Sequence, residues 1–332
     1  MAKKMRNRCN KPVCLIVITL ILLAMLLLNV GFAKISLWVA LEQFLQFELK
    51  AESIILLEIR LPRTLMCLIV GSGLGLVGAS LQGYLRNPLA EPSIIGISSA
   101  AALGAVFAIF IGLRAHGTFF APLFALAGAS CAGFILSKFS NFGESRNTVI
   151  LIGIGLSSIA GAFTSLILSF SENPFAINEI VFWMLGSLTD VSFDHVLLSV
   201  LPVITGALLL IRCYDDLNLL SLGEETAATA GVNIKKLKNK IVIGSSLIVG
   251  GVTAVVGVIG FVGLITPHIV RPFVNNEPGK TLLLSCPIGA LIVLMSDIVI
   301  RTLPTSGEMK LGVLTALIGT PFFLYLIFRQ KV

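Results

Sequence analysis

What this chain can fold into is set first by where its charges are missing. Stretches with few or no Asp, Glu, Lys or Arg fall at about 13–33, 64–85, 93–113, 118–137, 148–170, 196–211, 241–270, 282–300 and 311–328. A helix needs roughly 20 apolar residues to cross a hydrocarbon core of about 30 Å. Inside lipid every backbone N–H and C=O must also be satisfied by the chain itself. The stretches therefore predict an all-α, polytopic membrane protein. Composition agrees: 56% of residues are hydrophobic and 12% charged, where soluble domains carry about 25% charged residues. Residues 1–332 read as one transmembrane domain, with 215–240 a cytosolic loop inside it and no room for an appended soluble domain.

The run from Ile241 to Pro267 holds 27 residues without a charge, about 40 Å as helix, which overshoots one crossing. Gly257, Gly260, Gly263 and Pro267 offer breaks, so the run is expected to split near Val258 into two spans. That gives about ten spans. At the N-terminus, Lys3, Lys4, Arg6, Arg8 and Lys11 precede an apolar run. Its continuation to about Ala33 favours an uncleaved first span over a secretory leader.

Ten spans place both termini on one side, and 17 of the 24 Lys and Arg residues then fall on that side against 7 opposite. The positive-inside rule makes the richer side cytoplasmic. It also accounts for the net charge of +7 without nucleic acid. Val70-Gly71, Val77-Gly78 and Pro88 share spacing with Val249-Gly250, Val256-Gly257 and Pro267 at an offset of 179. This is either an inverted repeat, common in transporters, or a coincidence of Val and Gly richness.

Several local patterns bear on chemistry. Asp297 and Arg301, four apart, share a helix face, and an intramembrane carboxylate is costly enough to need a partner. A static ion pair is the preferred reading and a proton relay the alternative. Arg60 and Arg63 precede one span on the outer side and Arg301 ends another on that side, where exposed, snorkelling side chains are the ordinary reading. Ser221 and Glu224 have capping-box spacing, Glu224 and Glu225 suit a helix N-terminus, and Gly231 suits a C-cap. Residues 221–232 thus predict a short cytosolic helix. Pro278-Gly279-Lys280-Thr281 mimics the end of a phosphate loop, but Val274 stands where the earlier glycine is required. His116, His195 and His268 lack ligand spacing, and the six cysteines lack paired metal spacing.

Five blocks together, Arg60-Leu61-Pro62-Arg63-Thr64, Arg86-Asn87-Pro88-Leu89-Ala90-Glu91-Pro92 through Gly96, Phe182-Trp183 with Gly186-Ser187, Leu222-Gly223 through Gly231-Val232, and Glu308 with Gly312 through Phe323, resemble the FecCD-type permeases of ABC importers. The resemblance covers nearly all of the chain from about Ile59. It implies a type II importer subunit for iron–siderophore, heme or cobalamin that pairs with a second permease, identical or paralogous. Two cytosolic ATPases would carry ATP-Mg, and a periplasmic or lipid-anchored binding protein would deliver the substrate. No cofactor is expected on this chain, nor any enzymatic activity.

The resemblance assigns binding-protein docking to Arg60, Arg63 and Arg301. It assigns ATPase coupling to Leu222, Gly223, Glu224, Glu225, Ala227, Ala230 and Gly231. Asn87, Pro88, Glu91, Pro92 and Gly96 would form a gate or packing motif, and Asp297 with Arg301 a structural pair. The implied location is the bacterial inner membrane with both termini cytoplasmic. The chain departs from the family pattern at Lys310 and at Asn275-Asn276-Glu277-Pro278, and Arg146-Asn147-Thr148 matches the inner-gate position poorly. An ion-coupled secondary transporter would instead need ionisable groups lining a site, for which Asp297 alone qualifies.

Overall fold

The computed structural model describes residues 16, 18–31, 37–46, 50–113, 117, 119–139, 146–303 and 309–330. The basic N-terminal cluster, Cys9, Cys14, Lys34, Arg114, His116, Glu308 and Lys331 lie outside these, as do the side chains of Arg146 and Asn147.

Regular structure among the described residues is helical. It begins with α1 (Ile18–Asn29), α2 (Leu37–Leu45) and α3 (Ala51–Ile54), and a π-helical turn at Ile55–Arg60 leads directly into α4 (Leu61–Leu85). Next come α5 (Ile97–Phe110), α6 (Phe120–Phe139), α7 (Arg146–Phe170), α8 (Pro174–Met184) and α9 (Phe193–Ile211). The short α10 (Tyr214–Ser221) and α11 (Glu224–Thr229) precede α12 (Ile234–Val256) and α13 (Val262–Val270). A 3₁₀ turn at Arg271–Val274 extends α13, and α14 (Pro278–Thr302) and α15 (Leu311–Gln330) complete the order.

Among the described residues, six helical segments are long and apolar enough to cross a membrane: 51–85, 120–139, 148–170, 193–211, 234–256 and 278–302. Four shorter apolar helices accompany them at 18–29, 97–110, 262–274 and 311–325. The long uncharged run does break where expected. α12 ends at Val256, Gly257 turns with φ 72°, and α13 begins at Val262. The second piece, however, is shorter than a full crossing requires.

α4 occupies the centre, with 78% of its most apolar window buried, whereas the corresponding window of α7 is 17% buried. Lipid supplies no hydrophobic drive to pull helices together, so contact depends on close van der Waals approach between small residues. α4 and α14 meet along such a seam. A Cβ on Gly71 would stand 2.3 Å from the Gly289 carbonyl oxygen, and one on Gly75 would stand 2.1 Å from that of Ser285. On the same helix, a Cβ on Gly78 would stand 1.8 Å from the carbonyl oxygen of Gly263 in α13. The two stretches that share spacing in sequence do different work here. Gly78 packs in mid-helix, while its counterpart Gly257 ends α12 with a positive φ.

Candidate functional site

Polar groups concentrate at three places: the two ends of the α4–α14 pair and the break before α13.

At the Arg63 end, Asp297 is fully buried and its two oxygens are divided between two arginines. Arg63 donates from Nε (3.0 Å) and Nη2 (2.6 Å) to Oδ1. Arg301 donates from Nε to Oδ2 at 2.8 Å and its Nη2 lies 2.7 Å from the same oxygen. The expected Asp297–Arg301 pair is therefore a three-member cluster that spans α4 and α14. The expected exposure of Arg60 and Arg301 needs correction: they are 3% and 8% exposed. The cause is α1, whose final carbonyls have no intrahelical donors. Leu28 O accepts from Arg60 Nη1 at 2.7 Å, and Leu27 O and Val30 O accept from Arg301 Nη1 at 3.0 and 3.3 Å. Two guanidiniums at the negative end of a helix also suit its dipole.

Arg60, Arg63 and Arg301 all line one cavity of about 470 Å³, together with Glu58 and Asp190. Its charge is mixed. The π-helical turn at 55–60 lies just ahead of Arg63; π-bulges often mark functional sites, and nothing in the sequence announces this one.

The middle site forms around Gly257–Phe261. Glu91, in the turn segment after α4, accepts from the Phe261 N–H with a carboxylate oxygen. Ser187 N–H donates to Val256 O at 2.8 Å, and Gly312 N–H donates to Gly186 O at 3.2 Å. The loop carrying Trp183 and Gly186, the break and the start of α15 thus share one junction. Cβ atoms have no room there: one on Gly257 would lie 2.1 Å from Trp183 O and one on Gly312 2.3 Å from Leu185 O. Beside the junction is a cavity of about 640 Å³ lined by Leu185, Val258, Phe261, Val313 and Leu317 among others. Within the 87–96 motif, Asn87 Oδ1 accepts from Leu89 N–H at 2.9 Å, and Gly96 sits against α7, where a Cβ would lie 2.7 Å from Gly153 O. Pro92 approaches Gly263, so Glu91 and Pro92 reach α13 while Asn87 and Pro88 stay near the end of α4.

At the opposite end of α4 and α14, α10 and α11 form a compact appendage. The predicted short helix is present, but its cap differs. Gly223 occupies the N-cap with φ 125°, and Ser221 closes α10 by donating to Asn218 O at 2.6 Å. The C-cap is as expected. Gly231 has φ 94°, Gly231 N–H bonds Ala228 O at 3.0 Å and Val232 N–H bonds Ala227 O at 2.9 Å, a Schellman arrangement. Ala227 and Val232 are buried beneath it, whereas Glu225, Ala230 and Gly231 are exposed, Glu224 is half-buried, and Leu222 is 67% exposed.

α10 is fastened to α14. Asn218 Oδ1 accepts from Gly279 N–H at 2.7 Å, Tyr214 Oη donates to Glu277 Oε1 at 3.0 Å, and Lys280 Nζ lies 2.6 Å from Glu277 Oε2. The Lys280 ammonium holds the Glu277 carboxyl below its ordinary range. Arg86, the residue after α4, donates to the Ser221 carbonyl. The segment resembling a phosphate loop is only the first turn of α14, with Glu277 at its N-cap. The departure at Asn275-Asn276 forms the α13–α14 reversal, with φ of 53° and 59° that Asn tolerates better than most residues. Lys310 places its ammonium 5.6 Å from the Phe182 ring centre. His195 accepts from Ser192 N–H at the start of α9 at 3.2 Å, which gives it a helix-capping role.

An apolar helical body with polar assemblies at both ends and a broken helix between them fits a protein built to sit in a membrane. Comparison with known proteins makes the class specific: residues 17–329 match the FecCD transport family, and the chain belongs to that family. It is 35% identical over 328 residues to the molybdate import system permease protein MolB of Haemophilus influenzae, covering 96% of each chain. It is 34% identical over 332 residues to the vitamin B12 import system permease protein BtuC of Vibrio vulnificus, covering 99% of this chain and 96% of that protein. A solved structure described as an inward-facing conformation of a metal-chelate type ABC transporter aligns with a TM-score of 0.84 and 33% identity, over 96% of this chain and 99% of that one. The protein is accordingly an all-α, multi-pass ABC importer permease, a translocation subunit and not an enzyme.

Proposed function

We propose that this permease imports a bulky metal chelate, most specifically an iron–siderophore, with heme and cobalamin as the other members of the class. The observation that carries the reading is the 640 Å³ cavity beside the junction, walled by Leu185, Val258, Phe261, Val313 and Leu317. A mostly apolar wall, with Thr320 and Met184 as its few polar or sulfur-bearing side chains, suits a large ligand whose metal is already enclosed, because it offers such a ligand few competing donors. The metal-chelate and vitamin B12 relatives support the same class. The molybdate relative favours a second reading, a small oxyanion, which the apolar lining argues against.

In this account the chain works as a pair, with an identical or paralogous partner at α7. Gly155 and Gly161 of that helix have open space where a Cβ would stand, and small residues of this kind let transmembrane helices approach. Two ATPases carrying ATP-Mg dock on α10 and α11 through exposed Leu222 with Glu224 and Glu225. That end, and both termini, face the cytoplasm of a bacterial inner-membrane protein. A binding protein docks at the other end over the cavity lined by Arg60, Arg63 and Arg301 and releases substrate inward. ATP acts by favouring one permease conformation over another, and α10 and α11 transmit that preference to α4 through Arg86 and to α14 through Asn218 and Tyr214.

The test is uptake of labelled ferric siderophore, heme, cobalamin and molybdate by cells lacking and then re-expressing the chain. Restored uptake of a chelate is expected. Restoration of molybdate alone would overturn the chelate assignment.

A further inference from the structure

A cavity of about 630 Å³ opens beside α10, between the end of α4 and the start of α14. Its lining includes Gln82, Arg86, Ser221, His268, Arg271 and Asn276. Arg271 donates from Nη2 to Gln82 Oε1 at 2.6 Å, and Gln82 in turn donates from Nε2 to Leu264 O at 3.2 Å. Arg86 donates to the Ser221 carbonyl. Both guanidiniums are thus held by neutral oxygens. Among the described residues neither has a carboxylate within ion-pair distance.

Two fixed positive charges facing one open cavity favour an anion there. The rim indicates what carries it. Leu222 follows the lining residue Ser221, Phe273 follows the lining residue Pro272, and the two are 67% and 81% exposed. Leu222 joins α10 to α11, which are too short and polar to lie in hydrocarbon. An exposed phenylalanine beside arginine matches the make-up of protein contact surfaces, where aromatic residues and Arg are enriched, and exposed Leu222 extends the apolar part of the rim.

We infer that this cavity is a second ATPase contact, in which a carboxylate side chain of the ATPase enters between Arg86 and Arg271 while Leu222 and Phe273 pack against its apolar surroundings. The inference rests on the coupling role proposed for α10 and α11 and extends it. The docking surface then includes the ends of α4 and α13, so ATPase motion reaches α13 directly as well as through α10. Phe261, bonded to Glu91, immediately precedes α13.

The experiment places a photoreactive benzoyl-phenylalanine separately at Leu222, Phe273 and Asn276 of the full-length chain in its native cells, followed by mass spectrometry of captured partners. ATPase capture from all three positions, at an acidic ATPase segment for Phe273 and Asn276, is the expected result. Capture from Leu222 but not from Phe273 or Asn276, or capture of phospholipid at those two, overturns this inference and leaves the coupling role standing. Failure at all three positions overturns the coupling role as well. Arg271→Glu provides an independent arm. ATPase retained on the purified, monodisperse variant should fall about tenfold at low salt, and unchanged retention contradicts the carboxylate contact.

Discussion

Replacing Asp297 by Asn tests the buried cluster that joins α4 to α14. The carboxylate is fully buried and holds Arg63 and Arg301 at 2.6 and 2.7 Å. At an effective dielectric of 20, each unit-charge attraction at about 4 Å amounts to about 4 kcal/mol. Asn keeps the shape but removes both attractions and leaves two guanidiniums facing each other. Breaking a buried ionic group in this way costs about 3–5 kcal/mol. Arg301 keeps Leu27 O and Val30 O as acceptors, so the lower end, about 3 kcal/mol, is expected. In mild detergent, with heat-induced loss of the monodisperse size-exclusion peak as the readout, Asp297→Asn should lower the apparent melting temperature by about 5 °C. Arg63→Met leaves a one-to-one Asp297–Arg301 pair and should cost less. The double variant should cost less than the sum, with a coupling of about 0.5–3 kcal/mol. Melting of Asp297→Asn within about 1 °C of the native chain, or greater damage from Arg63→Met, would refute the stabilising role of the shared carboxylate.

Three further outcomes are expected. Glu224→Lys combined with Glu225→Lys should leave insertion intact but uncouple ATP hydrolysis from uptake, and normal uptake would contradict the role of α11. Glu91→Gln retains an acceptor for the Phe261 N–H and should preserve transport. Glu91→Leu leaves that N–H without its acceptor at a cost of about 1–3 kcal/mol, and should reduce both transport and thermal stability; equal behaviour of the two variants would show that the bond is irrelevant. Arg63→Gln should weaken binding-protein docking by up to about fivefold at low salt. The difference should disappear near 1 M salt, where charges are screened within about 3 Å. A salt-independent change would point to folding instead.

The sequence discloses most of this fold because the bilayer imposes lengths and forbids charges, so the middles of α4, α6, α7, α9, α12 and α14 stand out as uncharged stretches. The break near Val258 and the cap at Gly231 are legible for local reasons: an overlong run and a glycine in the required place. The three-way sharing of Asp297 is not, because Arg63 is 234 residues away along the chain and spacing speaks only for Arg301. The burial of Arg60 and Arg301 is hidden likewise, since it depends on how α1 lies across them. Ser221 misleads as a cap because its nearest acceptor is Asn218 O, and Gly223 alone can take φ 125°. The Glu91–Phe261 bond joins two motifs whose proximity only the tertiary packing creates.

ATP-driven import through contact at α10 and α11 is tested by purifying the full-length chain from its native cells in mild detergent with whatever ATPase accompanies it. The complex is then sealed in vesicles and its uptake measured against ATP. Uptake of a metal chelate that requires ATP hydrolysis, and is lost with Glu224→Lys and Glu225→Lys, is the predicted result. A chain that purifies without an ATPase and transports on an ion gradient alone would contradict the account.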